Sequence, residues 1–238
     1  MRLPVIAVLA LSANIAVPAQ AFDVRGATVT LENRDNSELV LDQQHFTGDI
    51  ELSFGAEFSL QLGVKNANYE EFGPGSFGSR GHEAHLIWRP QQVEGLALGA
   101  FVGEESFGNW WSFYGIEAKY QVAGFDAEAA IVDYNGPTEF SYSATHTTLE
   151  LGYSFADRYR VFAGHTAYDE DGVGVWVTNT YVGGSARVYD GISIYGSFGT
   201  NDYDGGTDED VVTLGLRYDF GGGVTFGQRS YTDLLPTN

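Results

Sequence analysis

Apolar residues recur at every second position along most of this chain. Val212, Leu214, Leu216, Tyr218 and Phe220 alternate with Thr213, Gly215, Arg217 and Asp219. Phe58, Leu60, Leu62 and Val64 alternate with Ser59, Gln61, Gly63 and Lys65. Leu96, Leu98, Ala100 and Val102 share one face of another run, and Leu149 and Leu151 face away from Glu150 in a fourth. Strict alternation marks a strand with one apolar and one polar face. No window of comparable length repeats its apolar residues at helical spacing. Further runs lie near 26–32, 48–54, 81–89, 110–121, 124–134, 158–168, 174–188, 191–200 and 223–230.

The connections predict an up-and-down meander. Short ones fall near Gly55-Ala56, Pro90 to Glu94, Ala123-Gly124, Ala156-Asp157, Asp190-Gly191 and Gly221-Gly222. Longer polar ones fall near 33–47, 69–80, 104–109, 135–142, 169–173 and 201–209. Short turns at one end and longer loops at the other suit an outer-membrane barrel. A soluble β-sandwich also has one apolar face, and it stands as the alternative. Three features favour the barrel. Many strands are about ten residues long, as a tilted crossing needs, against a usual 5–6. Aromatics gather at strand ends, as two interfacial girdles would. Phe54, Trp88, Tyr120, Phe125, Tyr153, Phe155, Tyr159, Tyr189, Tyr218 and Phe220 lie by the short turns, and Tyr69, Trp110, Tyr134, Tyr142, Tyr168 and Tyr203 by the long loops. The polar face is rich in Gly, Ser, Thr and charge, which suits a wet lumen.

The expected fold is therefore all-β, a closed antiparallel up-and-down transmembrane β-barrel. At about 18 residues per strand and loop, the mature chain holds about 12 strands. One of the thirteen runs is then not a full span. The tail after Gly221 is the choice, because Gln228-Arg229-Ser230 breaks the alternation; the run at 26–32 is the other candidate.

The N-terminus changes the picture by exporting the chain. Arg2, an apolar run from Pro4 to Val17, and Ala19-Gln20-Ala21 predict a signal peptide over 1–21 and a barrel over 22–238, with 221–238 as a non-spanning tail. Composition excludes several classes. The chain has 238 residues, 12 Lys and Arg against 32 Asp and Glu, and a formal charge of −20. So acidic a chain repels phosphates, and no nucleic-acid partner is expected. Cys is absent, which removes disulfides and thiolate metal sites. Gly numbers 31 of 238, about 13% against the usual ~7%, and is placed in turns and lumen.

At this point the chain resembles the Gram-negative porin superfamily, especially small porin-like barrels of α-proteobacteria. The resemblance rests on the signal ending Ala19-Gln20-Ala21 and on hairpins such as Leu52-Ser53-Phe54-Gly55 into Phe58-Ser59-Leu60-Gln61. Gly95 to Phe101, Phe113-Tyr114-Gly115-Ile116-Glu117 and the aromatic-ended Leu214 to Phe220 add to it. It covers the mature chain as many weak matches. It implies a passive diffusion channel for small hydrophilic solutes or ions in the cell outer membrane, with lipid around it and a homo-oligomer as one possible state. Two departures stand out. Eighteen residues follow Phe220, where relatives often end on the aromatic. The third loop, about 104–109, is too short to fold into the pore, so any constriction would come from 33–47, 69–80 or inward side chains.

Parity assigns the pore-lining candidates Lys65, Arg89, Glu117, Lys119, Glu128, Glu150, Arg160, Arg187 and Arg217. Glu51, Glu83, Asp126, Asp219 and His85 share the inward face. Both signs around a narrow pore make a transverse field that discriminates solutes by charge and size. A narrow conduit is expected rather than a filled barrel, although small barrels are often filled by paired inward charges. The remaining acid is assigned to loops: Glu70-Glu71, Glu104-Glu105, Asp169-Glu170-Asp171, Asp202, Asp204, Asp208, Glu209 and Asp210. Asp169 to Gly172 and Asp202 to Gly205 resemble calcium loops without the full ligand spacing, so no metal residue is assigned. Ser141 and Ser143 lie near His146, but no nucleophile elbow or zinc motif is present. No catalytic residue or cofactor is expected. The rivals are a non-conducting structural or adhesive barrel and, behind it, an outer-membrane hydrolase.

Overall fold

The computed structural model describes residues 22–36, 42–70, 76–136, 143–170, 176–204 and 206–230. The predicted signal segment 1–21, intervening residues including Ser141 and Tyr142, and residues 231–238 lie outside these ranges.

Twelve antiparallel strands close on themselves. They are β1 (Asp23–Asn36), β2 (Asp42–Phe54), β3 (Phe58–Glu70), β4 (Ser76–Trp88), β5 (Leu96–Phe107), β6 (Asn109–Val122), β7 (Phe125–Asn135), β8 (Ser143–Phe155), β9 (Tyr159–Glu170), β10 (Trp176–Tyr189), β11 (Ile192–Tyr203) and β12 (Thr207–Phe220). Every strand pairs with its sequence neighbours. β1 closes on β12 in a register running from Ala27↔Phe220 to Asn36↔Val211. Residues 223–230 add no strand. The turn at Ala123-Gly124 is a two-residue hairpin with both residues at positive φ, 48° and 87°, which matches the natural strand twist.

Strands run from 11 residues in β7 to 14 in β1, at or above the upper end of the ~9–11 of a tilted crossing. The loops expected at 33–47 and 104–109 are correspondingly short, because β1 continues to Asn36, β2 starts at Asp42, and only Gly108 separates β5 from β6. The cause is visible in β7. Its outward positions run Phe125, Ala127, Ala129 and Ile131, then Asp133 and Asn135. Its inward positions run Asp126 and Glu128, then Ala130, Val132 and Tyr134. The period-two phase never slips, but the polarity of the two faces swaps partway along the strand. β3 does the same: Phe58, Leu60, Leu62 and Val64 face out, followed by Asn66 and Asn68. Inside, Ser59, Gln61 and Lys65 give way to Ala67 and Tyr69.

The barrel thus has two zones. Near the short turns it is apolar outside and polar inside, the polarity of a bilayer span. Towards the other end the outer face turns polar, and an apolar core fills the inside on the β5–β10 side, while Gln43, His45, Ser79, Glu105, Asn201 and Glu209 are buried there as well. Phe101, Phe113, Val132, Tyr134, Ala144, Tyr168 and Val177 form that inner core, with Trp111 and Tyr203 packed on it.

This corrects the expected second girdle. Tyr69, Tyr134 and Tyr168 are buried inside, and Tyr203 joins their cluster. The outward aromatics on that margin, among the described residues, are Phe46, Trp110, Tyr114, Trp176 and Phe198. At the short-turn end the expected girdle stands exposed on the outer face, from Trp88 and Tyr120 to Tyr218 and Phe220.

Candidate functional site

The lumen of the short-turn zone, apolar outside and polar inside, is the chemically distinctive part of the molecule, and its two sides differ. The β2–β7 side is filled by the chain's own tail. β12 ends at Phe220, and Gly221, Gly222 and Gly223 follow at φ 64°, 98° and 78°, a left-handed run that only glycine adopts without strain. They turn the chain back into the barrel. Gly26 lets the tail pass, since a Cβ there would stand 1.9 Å from the Gly223 carbonyl oxygen.

From there the tail climbs the wall through polar contacts. The Thr225 N–H and hydroxyl donate to Glu51 Oε2 at 2.9 and 2.7 Å. Arg89 donates to Ser59 at 2.8 Å, to Glu51 at 2.5 Å and to the Thr225 hydroxyl. Lys119 donates to the Thr225 carbonyl at 2.8 Å and lies 3.1 Å from Glu128. The Phe226 ring packs with Ile87 and Ala97. The Gln61 amide clamps the Phe226 backbone, donating to its carbonyl at 2.9 Å and accepting its N–H at 3.3 Å. Gln228 donates to Asp49 at 3.0 Å and to the Val64 carbonyl at 2.9 Å.

Arg229 closes the series, donating to Glu117 at 2.9 Å and Glu128 at 2.8 Å, while its backbone N–H donates to Glu83 at 3.1 Å. His85 bridges Glu83 and Glu117 at 2.8 and 2.6 Å and stacks on Phe226. The Ser230 hydroxyl donates to Glu105 at 3.1 Å, and Lys65 reaches both Ser230 and Glu105. Buried carboxylates are tolerable only when paired, and the tail's Arg229 supplies the cation that Glu117 and Glu128 share.

The β8–β12 and β1 side, the wet side, is not filled by the tail and leaves inward charges partly exposed. Arg160 holds Asp126 and Glu150, the latter at 2.7 Å. Tyr181 donates to Glu150 at 2.8 Å and Tyr195 to Glu32 at 2.6 Å, while Arg34 pairs with Glu32 at 2.5 Å and Arg217 with Asp219 at 2.8 Å. The contrast is in exposure. Arg217, Glu150 and Arg160 side chains are 40, 30 and 27% exposed, whereas the tail-side charges run from 0% for Glu51 and Glu117 to 22% for Lys119. Glycines keep this wall flat. The Tyr181 ring lies over Gly164, where a Cβ would meet it at 2.2 Å, and Tyr195 lies over Gly215, where it would be met at 2.1 Å.

Of the pore-lining candidates, Lys65, Arg89, Glu117, Lys119 and Glu128 all touch the tail. Glu150, Arg160 and Arg217 stand on the wet side. Arg187 sits exposed near the short-turn end, beside the register shift between Arg187 and Tyr189. Of the expected sources of a constriction, the loops are corrected, since residues 33–36, 42–47, 69, 70 and 76–80 belong to strands; inward side chains remain, joined by the tail that enters the lumen. Glu105 and Glu209, assigned to loops by sequence, are buried inside, with Glu209 accepting from Tyr203 at 2.7 Å. Their parity with Phe101 and Val211 carried that signal. Arg229 was hidden in a segment without alternation. The one pointer to it was an inward face holding more carboxylates than cations.

Two further expectations meet the structure here. Ser143 and His146 are three apart in β8, so they point to opposite faces, with His146 inward. Among the described residues no group of three or more His, Asp or Glu side chains is placed to hold a metal ion. The run Asp169 to Gly172 and Gly205 fall partly or wholly outside those residues.

No family model matches the chain, and no curated protein matches it. Solved structures do. The chain is similar to the KdgM porin, with a TM-score of 0.58 and 13% identity over 81% of this chain and 99% of that one. The NanC porin aligns at TM-score 0.58 and 7% identity over 81% of this chain and 98% of that one. The COG4313 outer membrane channel from Pseudomonas putida F1 aligns at TM-score 0.58 and 12% identity over 86% and 98%. At such identities the likeness is one of fold: this chain has the closed-barrel architecture of outer-membrane porins and channels.

Proposed function

We propose that the protein is a passive diffusion channel for small hydrophilic solutes or ions across the outer membrane, reached through a cleaved signal peptide over 1–21. The observation that carries this reading is the wet side of the lumen. In a barrel whose outer face is apolar, the wall formed by β8–β12 and β1 keeps Arg160, Glu150, Arg217 and Arg34 partly exposed to water inside. Charges kept hydrated within a bilayer zone serve transit better than stability. No chemical step and no cofactor enter this mechanism. Solutes cross by diffusion, ordered by the field between the inward Arg and Asp or Glu side chains.

The same geometry suggests selectivity. Inward carboxylates outnumber inward cations among the described residues, and the outward margin away from the short turns carries Glu104, Asp202, Asp208 and Asp210. Cations are favoured. One KdgM structure is described as a complex with oligogalacturonate, a polyanion; the acidic wall here argues against a ligand of that charge.

A specific observation favours the rival, a non-conducting structural barrel: the tail fills one side of the lumen and an apolar core occupies the zone beyond. Recording from purified full-length protein in planar bilayers separates the two. Discrete conductance steps with a cation-favouring reversal potential support the channel. Folded protein that gives no steps overturns it, and an anion-favouring potential overturns the selectivity alone.

A further inference from the structure

Resting on the channel reading above, we infer that residues 223–230 are a displaceable plug that regulates conduction, with Arg229 as its latch. Three observations carry this. First, the barrel is complete without the tail: every strand is paired on both sides through β12, which ends at Phe220 before the tail begins. Leaving the lumen breaks no ladder hydrogen bond.

Second, the tail hangs from a hinge. Gly221, Gly222 and Gly223 sit at positive φ at the mouth, and a run of glycines absorbs large backbone rotations. Beyond it, the tail is held to the wall by side-chain contacts: Thr225 to Glu51, the Gln61 clamp on Phe226, Gln228 to Asp49, Arg229 to Glu117 and Glu128, and Ser230 to Glu105. The apolar part is the Phe226 ring on Ile87 and Ala97.

Third, the socket is polar enough to be refilled by water. Glu51 keeps Arg89, Glu128 keeps Lys119 and Glu105 keeps Lys65 when the tail departs. His85 stays between Glu83 and Glu117. A hydrophobic socket would resist wetting, whereas this one holds charges that gain from it. Vacating it joins the β2–β7 side of the lumen to the wet side and widens the conduit.

The test uses the full chain. Phe226→Glu with Arg229→Glu sets two carboxylates against Glu83, Glu117 and Glu128 without touching a strand. The expected result is larger or more frequent conductance steps than the native sequence gives, and a stronger cation preference. Because the chain has no Cys, Ser230→Cys reports tail position alone. A charged thiol reagent should label it slowly in the native background and about tenfold faster in the double variant, as release of a buried charge clamp implies. Rapid labelling in both backgrounds means the tail is not seated and overturns the plug. Unchanged conductance with slow labelling in both means the tail is fixed filling, which also overturns it, while steps from the native protein keep the channel reading intact. Folded native and variant proteins that are both silent overturn the channel reading and the plug together. Should the double variant fail to insert, Arg229→Gln, of similar reach without charge, takes its place with the same readouts.

Discussion

At the scale of single residues, the lumen is shaped by pairs of glycine and a large neighbour on the adjacent strand. Gly164 faces Tyr181, Gly215 faces Tyr195, and Gly183 faces Phe162 across the ladder. Each glycine gives a ring room to lie flat on the wall, and the hydroxyls of Tyr181 and Tyr195 are then held by Glu150 and Glu32. A methyl group is enough to upset this, because the Cβ of Gly164→Ala would press on the Tyr181 ring. We expect Gly164→Ala to push that ring towards the axis and lower single-channel conductance. Gly48→Ala is the control: its Cβ meets only a Val64 methyl at 3.8 Å on the outer face. Conductance unchanged in Gly164→Ala would show that the wall there does not border the path.

At the scale of strands, the polarity swap is what sequence could and could not deliver. Alternation placed nearly every strand and gave the correct phase, so the inward set, from Lys65 and Glu117 to Arg217, was legible from parity. The ends were not. Beyond the apolar band a strand becomes polar outside, and along the chain those polar residues resemble a loop, so Glu105 and Glu209 read as loop residues and Tyr69, Tyr134 and Tyr168 as interfacial ones. A lone tail with no period carries no phase, so the role of Arg229 had to come from three-dimensional contact.

The same swap gives an element-level prediction. Ile116 is 64% exposed on the outer face of β6, inside the apolar zone between Tyr114 and Tyr120. Ile116→Arg should cost about 2–4 kcal/mol in a bilayer, whereas Ser112→Arg, higher on the same face among polar neighbours, should cost about 0–1 kcal/mol. Urea unfolding in lipid vesicles measures both. Equal costs at the two positions would mean that the zone boundary between Tyr114 and Ser112 is misplaced.

At the scale of the whole molecule, three features combine: a closed barrel with no free edge, an apolar outer band confined to the short-turn end, and a lumen divided between a seated tail and a partly exposed charged wall. The division assigns the path to β8–β12 and β1, and a chain without Cys allows that assignment to be read directly. The decisive measurement is the effect of a negatively charged thiol reagent on single-channel conductance at two positions of β12. Arg217→Cys points into the lumen and Leu214→Cys points to lipid. The expected result is a stepwise change in conductance on adding the reagent to Arg217→Cys and none with Leu214→Cys. No change at Arg217→Cys in a conducting channel, or a change at Leu214→Cys, would contradict that assignment.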